Sequence, residues 1–278
     1  MVQTIQNTNY KNKYLKYKLK YLKMINQKQL KGGMEASTEL SDEIKLEILD
    51  YFRGHQELND IERLLHNDPR TNVLNLNAGN IDDVGAEYLS FALRHNTTIE
   101  HLHLSNNRIG AVGAIYLADM LEHNTKITKL NLGASHIGAA GAKHLADALK
   151  HNTKLKILFL HDNKIGDAGA KHFAEMLQHN STLQILWLND NNIGDAGAKH
   201  LADMLQHNAT LLDLQLNSND ISADGAKHLA EILQHNATLQ VLGLGWNKIG
   251  DAGAKHLAEM LRDNATLKKL QFEKNNIG

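Results

Sequence analysis

Leucines recur along this chain at one constant spacing with no insertion or deletion: Leu74, Leu102, Leu130, Leu158, Leu186, Leu214, Leu242 and Leu270. Two positions after each comes another apolar residue, and seven positions after each comes an isoleucine, from Ile81 to Ile277. Such a period is typical of a solenoid, in which each copy buries its apolar face against the next copy. The repeat therefore constrains the fold more than any other feature of the sequence.

Each part of the repeat predicts a local structure. The shared pattern is L-x-x-L-x-L-x-x-N-x-I-G-x-x-G-A-x-x-L-A-x-x-L-x-x-N-x-T. The L-x-L alternation predicts a strand with one buried face, and the later apolar spacing predicts a helix. The Asn between them predicts a ladder of side-chain amides, weakened where Gly79 and Ser135 replace it. In Asp-Ala-Gly-Ala, for example at Asp195, the acid is expected to cap the helix that it begins, and the small residues predict close packing of helix on strand.

A strand–helix repeat of this length and wording resembles the ribonuclease-inhibitor-like subfamily of leucine-rich repeats over residues 71–278. The resemblance implies an α/β horseshoe, with a parallel sheet on the concave face and helices on the convex face, in agreement with the periodicities. Residues 71–278 hold eight repeats, the last incomplete, and residues 58–70 predict an N-terminal half-cap closed by Pro69. We expect the uncapped apolar edge of the last repeat to fray, to form a homodimer or to be covered.

The strand positions beside the second leucine of each repeat are expected to point away from the core, because alternate residues of a strand face opposite sides. At the middle of the array, this predicts an apolar cluster centred on Phe159 and Trp187, with a polar rim. The predicted partner-binding residues are Ile157, Phe159, His161, Asp162, Ile185, Trp187, Asp190, Asp213 and Trp246. Aromatic anchors within a polar rim are typical of protein interfaces. The alternative is that these side chains stack on one another and only stabilise the sheet.

No catalytic, cofactor or metal site is predicted. The chain has no cysteine, which excludes thiolate nucleophiles and cysteine-based zinc sites. The recurring I-G-x-x-G-A lacks the Lys and Ser/Thr of a phosphate-binding loop. Eleven of the 17 histidines recur with the repeat, so successive copies lie roughly 10 Å apart, too far to share a zinc ion. His101 and His103 share one strand face but lack a third ligand. We therefore predict a protein that is not an enzyme.

Residues 1–33 form a basic arm. They carry eight lysines and no acid, which leaves 22 basic against 31 acidic residues in 34–278, a net charge of −9. Tyr10, Tyr14, Tyr17, Tyr21 and Met24 follow a helical spacing, which predicts a basic amphipathic helix. Such a helix is suited to nucleic acid, an anionic membrane or a partner helix, and a solvated tether is the alternative.

The wording Y-L-K-Y-K-L-K-Y-L-K, followed by G-G, is similar to an N-terminal stretch that recurs in proteins of giant viruses of amoebae. The resemblance implies a viral protein made in a host cell, and it implies no particular biochemical role. Our own hypothesis is that the cluster at Phe159 and Trp187 binds a host protein. The chain has no run of about 18 apolar residues that could span a membrane. We therefore expect an intracellular protein of the host cytoplasm.

Residues 34–57 are interpreted as a linker or a capping helix. Within them, 40–53 begin with Ser41 as a cap and place Ile44, Ile48 and Phe52 four apart. This segment resembles the opening helix of an F-box, which implies an adaptor for host ubiquitin ligase, although the half-cap occupies the place of the rest of that module. Three functions stay open: a protein-interaction scaffold, an F-box-like adaptor and a self-assembling structural solenoid.

Overall fold

The computed structural model describes residues 40–56 and 58–278. The basic arm at 1–33, with its predicted amphipathic helix, lies outside the described residues. The range Asp42–Gly278 forms one compact unit. Within the described ranges, no helix is both long enough and apolar enough to cross a lipid bilayer.

Helices and strands alternate along this unit. The helices are α1 (Asp42–Tyr51), α2 (Leu58–Leu65), α3 (Asp83–Arg94), α4 (Ala111–His123), α5 (Gly138–Leu149), α6 (Gly166–Leu177), α7 (Asp195–Leu205), α8 (Ala223–Leu233) and α9 (Gly250–Asp263). The strands are β1 (Val73–Asn75), β2 (His101–His103), β3 (Lys129–Asn131), β4 (Ile157–Phe159), β5 (Ile185–Trp187), β6 (Asp213–Gln215), β7 (Val241–Gly243) and β8 (Lys269–Gln271).

The eight strands form one parallel sheet in chain order. The register is set by the repeat, so that Leu158 pairs with Leu186 and Leu186 pairs with Leu214. These central leucines are fully buried, which places the core between the sheet and the layer of helices. The predicted α/β solenoid, with a parallel sheet on one side and helices on the other, is confirmed.

The asparagine after each strand is buried and joins neighbouring repeats. Asn191 is 0% exposed, and its Nδ2 donates to the carbonyl oxygens of Leu160 at 2.9 Å and Asn189 at 3.0 Å. Its Oδ1 accepts the backbone N–H groups of Asn163 at 3.0 Å and Ile165 at 3.2 Å. The predicted ladder is therefore confirmed, and one side chain satisfies four backbone groups that the strand and helix leave unpaired.

Ser135 keeps part of this ladder where asparagine is missing. Its hydroxyl lies 3.3 Å from the Leu104 carbonyl oxygen and 3.2 Å from that of Gly133. Its side chain provides no carbonyl oxygen for the backbone of the preceding repeat. The third repeat thus retains the donor half of the interaction and loses the acceptor half.

A second asparagine ladder, which was not predicted from the sequence, follows the helices. Asn180 Nδ2 donates to the carbonyl oxygens of Leu149 at 2.7 Å and Asn152 at 3.0 Å, and its Oδ1 accepts the N–H groups of Thr182 and Leu183. The donation to the last helical leucine of the repeat before recurs at Asn124, Asn152, Asn208, Asn236 and Asn264. Carbonyl groups at helix ends, which lack partners within the helix, are satisfied in this way.

The acid that begins Asp-Ala-Gly-Ala caps the helix of the following repeat, so the expectation that it caps its own helix was wrong. Asp195 in α7 accepts the N–H groups of Ser222 at 2.7 Å and Gly225 at 3.0 Å at the start of α8. Asp167 in α6 accepts those of Gly194 at 2.7 Å and Gly197 at 2.9 Å. A cap for the same helix has to precede the first helical residue, whereas these acids already lie inside their helices.

The backbone conformation at the start of the next helix differs according to whether this acid is present. Behind Asp167 and Asp195, the capping residues Gly194 and Ser222 are extended, with φ of −97° and −98°. Ala139 occupies the equivalent position in the repeat before Gly166, and it offers no acceptor. Gly166 adopts φ of +62°, and its N–H donates to the Asn191 carbonyl oxygen at 2.8 Å. Serine is therefore compatible with position 222, while glycine suits position 166.

Replacing Asp195 with alanine is expected to lower the free energy of unfolding by about 1–2 kcal/mol, because two N–H groups of α8 lose their acceptor. The bond from the Ser222 hydroxyl at 2.6 Å is lost as well. Urea unfolding followed by circular dichroism measures the change. Asp203→Ala in the same helix is the control: Asp203 makes an exposed ion pair with Lys199, so it should cost no more than about 0.5 kcal/mol. Equal losses in both variants would contradict the capping role.

Candidate functional site

The side of the sheet turned away from the helices is called the open face, and it carries the residues that flank each central leucine. The structure brings the predicted apolar cluster together on β4 and β5. Ile157 is in register with Ile185, and Phe159 is in register with Trp187. All four side chains are half-buried, while the leucines between them are fully buried. The cluster therefore belongs to the open face and not to the core.

Phe159 and Trp187 form a stacked pair. Their ring centroids lie 4.1 Å apart with an interplanar angle of 24°. Lys129 Nζ lies 5.1 Å from the centroid of the Phe159 ring, a distance at which an ammonium is attracted to the face of the ring. Ring stacking contributes about 0.5–1.5 kcal/mol beyond the buried area, so the pair also stabilises neighbouring strands.

The indole nitrogen of Trp187 is buried and has no hydrogen-bond partner within the described part of the chain. Gln215, the residue in register with Trp187 on β6, is engaged elsewhere. Its Nε2 donates to Asp213 Oδ1 at 2.6 Å, and its Oε1 accepts Asn217 Nδ2 at 2.9 Å. A buried donor without an acceptor costs about 1–3 kcal/mol. The stack thus carries a buried donor that no acceptor among the described residues satisfies.

The predicted polar rim is spread over several places. The His161 ring lies over Gly133, where an added Cβ would clash with it. Asp162 and Asp190 are exposed in the turns after β4 and β5, with φ of 52° and 54°. Asp213 is half-buried and accepts the Gln215 amide. The acids at 162 and 190 therefore line the edge of the sheet and not the stack.

Trp246 lies apart from the Phe159–Trp187 stack, in the turn after β7. Its side chain is 60% exposed, and its ring contacts Lys274, whose Nζ lies 5.8 Å from the ring centroid. Its φ of 56° is unusual for a bulky residue. The structure therefore separates Trp246 from the cluster with which the sequence grouped it.

A series of hydrogen-bonded side chains begins on β6 and extends to β7, and it was not predicted from the sequence. Asn217 Oδ1 accepts the Gly245 N–H at 2.7 Å, and a Cβ at Gly243 would clash with Gln215. The signal in the sequence was the pair of glycines at two open-face positions of one repeat. Because β7 and the turn after it have glycine at these two positions, the Gln215 and Asn217 amides of the preceding repeat can lie against the backbone there.

His101 and His103 are half-buried on the open face of β2. His101 is in register with Lys129, and His103 with Asn131. Burial lowers the pKa of the His103 imidazole, and the neighbouring charges of Lys129 and His101 lower it further. The histidines therefore belong to a group of like charges beside Phe159.

Among the residues that the structure describes, one exposed group on α4 has donor atoms close enough to surround a cation: Asp119, Glu122 and His123. Arg94 already contacts two of them, with Nη1 donating to Asp119 Oδ2 at 2.9 Å and Nη2 lying 2.7 Å from His123 Nε2. The other imidazole nitrogen lies 2.8 Å from the Asp119 carbonyl oxygen. The group is organised as an ion-pair network.

Six segments of the chain match a family model described as "Leucine Rich repeat", and they cover just over half of the residues. The matched segments are 95–118, 123–146, 151–174, 179–202, 207–230 and 235–258. One solved structure, titled "Leiomodin-1 Actin-Binding Site 2 (ABS2)", is similar to this chain with a TM-score of 0.41 and 18% sequence identity, over 75% of this chain and 88% of that chain. No curated protein matches the chain by sequence.

Proposed function

The chain belongs to the leucine-rich-repeat family, and we propose that it is a non-catalytic scaffold that binds a protein partner through the open face at β4 and β5. The observation that carries the proposal is the half-buried Phe159–Trp187 stack, which lies beside Ile157 and Ile185 on the open face. Aromatic side chains at the centre of a surface, with polar groups around them, supply most of the binding energy in many protein complexes.

The geometry of the stack supports an anchor site. A partner side chain would cover the exposed parts of both rings, and burial of apolar surface contributes roughly 25 cal/mol for each Å² removed from water. Stacking within the sheet, the alternative interpretation of these residues, accounts for the ring contact but not for the apolar surface that the four side chains leave exposed to water.

The test is a double substitution of the stack, Phe159→Ala with Trp187→Ala. Partners captured from amoeba extracts by the unchanged chain are identified by mass spectrometry, and the affinity of each is then measured with purified components. We expect the double variant to weaken binding by about 100-fold or more, because each central aromatic contributes about 2 kcal/mol or more. Helical circular dichroism should be unchanged.

The matched control removes apolar surface from the helical layer instead. Val112 and Ile115 on α4 are 46% and 41% exposed, so Val112→Ala with Ile115→Ala removes exposed aliphatic side chains away from the open face. This variant should keep the affinity of the unchanged chain. The proposal fails if the stack variant keeps full affinity, or if the control variant loses as much.

For α1 we propose a capping role in preference to an F-box-like adaptor. Ile48 and Phe52 are 0% exposed, so the apolar stripe that suggested an F-box is used inside this unit. The Tyr51 hydroxyl donates to Asp82 Oδ1 at 2.9 Å, and Asp82 is the N-cap of α3. Burial, with the Asp82 carboxylate close by, raises the pKa of the Tyr51 phenol. These contacts support a helix that covers the start of the solenoid.

The ribonuclease-inhibitor-like subtype is supported by the repeat itself. The repeat length stays constant from Leu74 to Leu270, and α3 to α9 span 11 to 14 residues each. The giant-virus origin, the host partner and the host-cytoplasm location depend on the N-terminal stretch outside the described residues, and they remain predictions. So do homodimer formation through the last repeat and the binding of nucleic acid or an anionic membrane by the basic arm.

A further inference from the structure

Charged side chains are distributed unevenly over the open face. On β1 to β4 the positions that flank the central leucines, with the next outward position, are Val73, Asn75, Asn77, His101, His103, Ser105, Lys129, Asn131, Gly133, Ile157, Phe159 and His161. This set contains three histidines and a lysine but no carboxylate. The corresponding positions of β5 to β8 include two carboxylates, Asp213 and Glu273, and one lysine, Lys269. A basic region therefore adjoins the aromatic stack, on a chain whose residues 34–278 are acidic overall.

The basic groups lie close together. His101 and Lys129 are in register on adjacent strands, which lie about 4.8 Å apart. His103 is two positions further along β2, and alternate residues of a strand point to the same side. Lys129 in turn reaches over the Phe159 ring. Burial is the main cause of the lowered pKa of His103, and the positive charges of Lys129 and His101 lower it further by repulsion.

An anionic group bound at this place would relieve the repulsion. Charge complementarity across an interface raises the association rate and selects among partners. Carboxylates suit this place better than a neutral ligand, because one anion can accept hydrogen bonds from both imidazoles once these are protonated.

We propose that His101, His103 and Lys129 bind an acidic side chain of the protein partner, next to the apolar side chain that the Phe159–Trp187 stack receives. This rests on the proposed function and specifies the chemistry of the partner. The centre of the basic group and the centre of the stack are two strand spacings apart, or about 10 Å. An extended peptide rises about 3.3 Å per residue, so the acid and the apolar residue are separated by two to four positions in the partner.

Binding of this acid depends on pH in a defined direction. The groups that face the bound carboxylate are His101, His103, Lys129 and His161, and Glu100 is exposed one position before β2. A carboxylate favours the protonated imidazole, so the affinity rises as the pH falls from 7.5 to 5.5. Glutamate of the partner stays ionised throughout this range, since its ordinary pKa is about 4.3. Because binding takes up one or two protons, the affinity increases by about five- to tenfold or more over this pH range.

The test uses fluorescein-labelled peptides and the full chain, with binding measured by fluorescence anisotropy. The probe is Glu-Ser-Glu-Ser-Phe, compared with Lys-Ser-Lys-Ser-Phe and Glu-Ser-Glu-Ser-Ala. We expect the first to bind most tightly, with the rise toward pH 5.5. His101→Asn with His103→Asn should reduce the pH response to the share that His161 contributes, and Lys129→Met should weaken binding at every pH.

Several results would overturn the proposal. These are equal binding of the lysine peptide, an unchanged pH response in the histidine double variant, no binding of any peptide at millimolar concentration, or tighter binding of a twelve-nucleotide oligothymidylate than of the probe. Failure of the proposed function has another signature. Both glutamate peptides would then bind equally and lose affinity in the histidine variant, while Phe159→Ala with Trp187→Ala has no effect; that outcome supports the acidic subsite alone.

Discussion

Replacing Asn191 with alanine is expected to lower the free energy of unfolding by about 3–5 kcal/mol, one of the largest single losses that this chain can show. The side chain is completely buried and makes four hydrogen bonds, to backbone groups of the fourth and fifth repeats. Alanine leaves all four groups without a partner in a place that water does not reach. Guanidinium unfolding, followed by circular dichroism in the far ultraviolet, measures the loss.

Ser135→Ala provides the matched comparison at the equivalent position two repeats earlier. The Ser135 hydroxyl makes only long contacts, at 3.3 and 3.2 Å, to Leu104 and Gly133. Its removal should cost about 1 kcal/mol. If Asn191→Ala costs no more than Ser135→Ala, the ladder does not stabilise the solenoid in the way that the geometry indicates.

Much of the fold could be predicted because the repeat length fixes the register. When Leu158 and Leu186 occupy equivalent positions in adjacent copies, the neighbours Phe159 and Trp187 have to face each other. The same reasoning placed the asparagine ladder, since a buried amide at a strand end needs backbone partners. Both features depend only on which positions are equivalent, and the period supplies that information.

Interactions that cross from one repeat to the next in a particular direction were not predictable. A periodic sequence does not reveal whether Asp195 caps its own helix or the helix of the next repeat, at Ser222. For the same reason the second ladder, typified by Asn180, was not recognised. At the open face, the position of the His161 ring over Gly133 and the unpaired indole N–H of Trp187 depend on side-chain rotamers. Strand alternation says which side a residue faces, but it does not say where its terminal atoms lie.

The helical glycine of each repeat gives the second large effect, because it sets how closely neighbouring helices approach. At Gly197, an added Cβ would lie 2.6 Å from Asp167 Oδ1, 2.7 Å from Ile193 Cγ2 and 3.1 Å from the backbone Cα of Asp167. The close approach is therefore to the neighbouring helix and the residue's own turn, and not to the strand as the sequence suggested. Alanine is the better helix former by about 1 kcal/mol.

The clash outweighs that gain. Gly197→Ala forces the Asp167 carboxylate away from the N–H groups that it caps, and it overpacks a contact with backbone that cannot move freely. Overpacking costs about 1–3 kcal/mol and the lost cap about 1–2 kcal/mol. We expect a net loss of about 2–3 kcal/mol in the free energy of unfolding, measured by guanidinium denaturation.

Gly194→Ser is the control, three positions earlier at the same helix start. Its backbone is extended and a Cβ would meet Asp167 only at 3.5 Å. Ser222 already occupies the equivalent position in the next repeat, where its hydroxyl donates to Asp195 at 2.6 Å. The serine variant should therefore match the unchanged chain or gain up to about 1 kcal/mol. A neutral Gly197→Ala, or a Gly194→Ser that is equally damaging, would show that helix spacing is not set by the glycine.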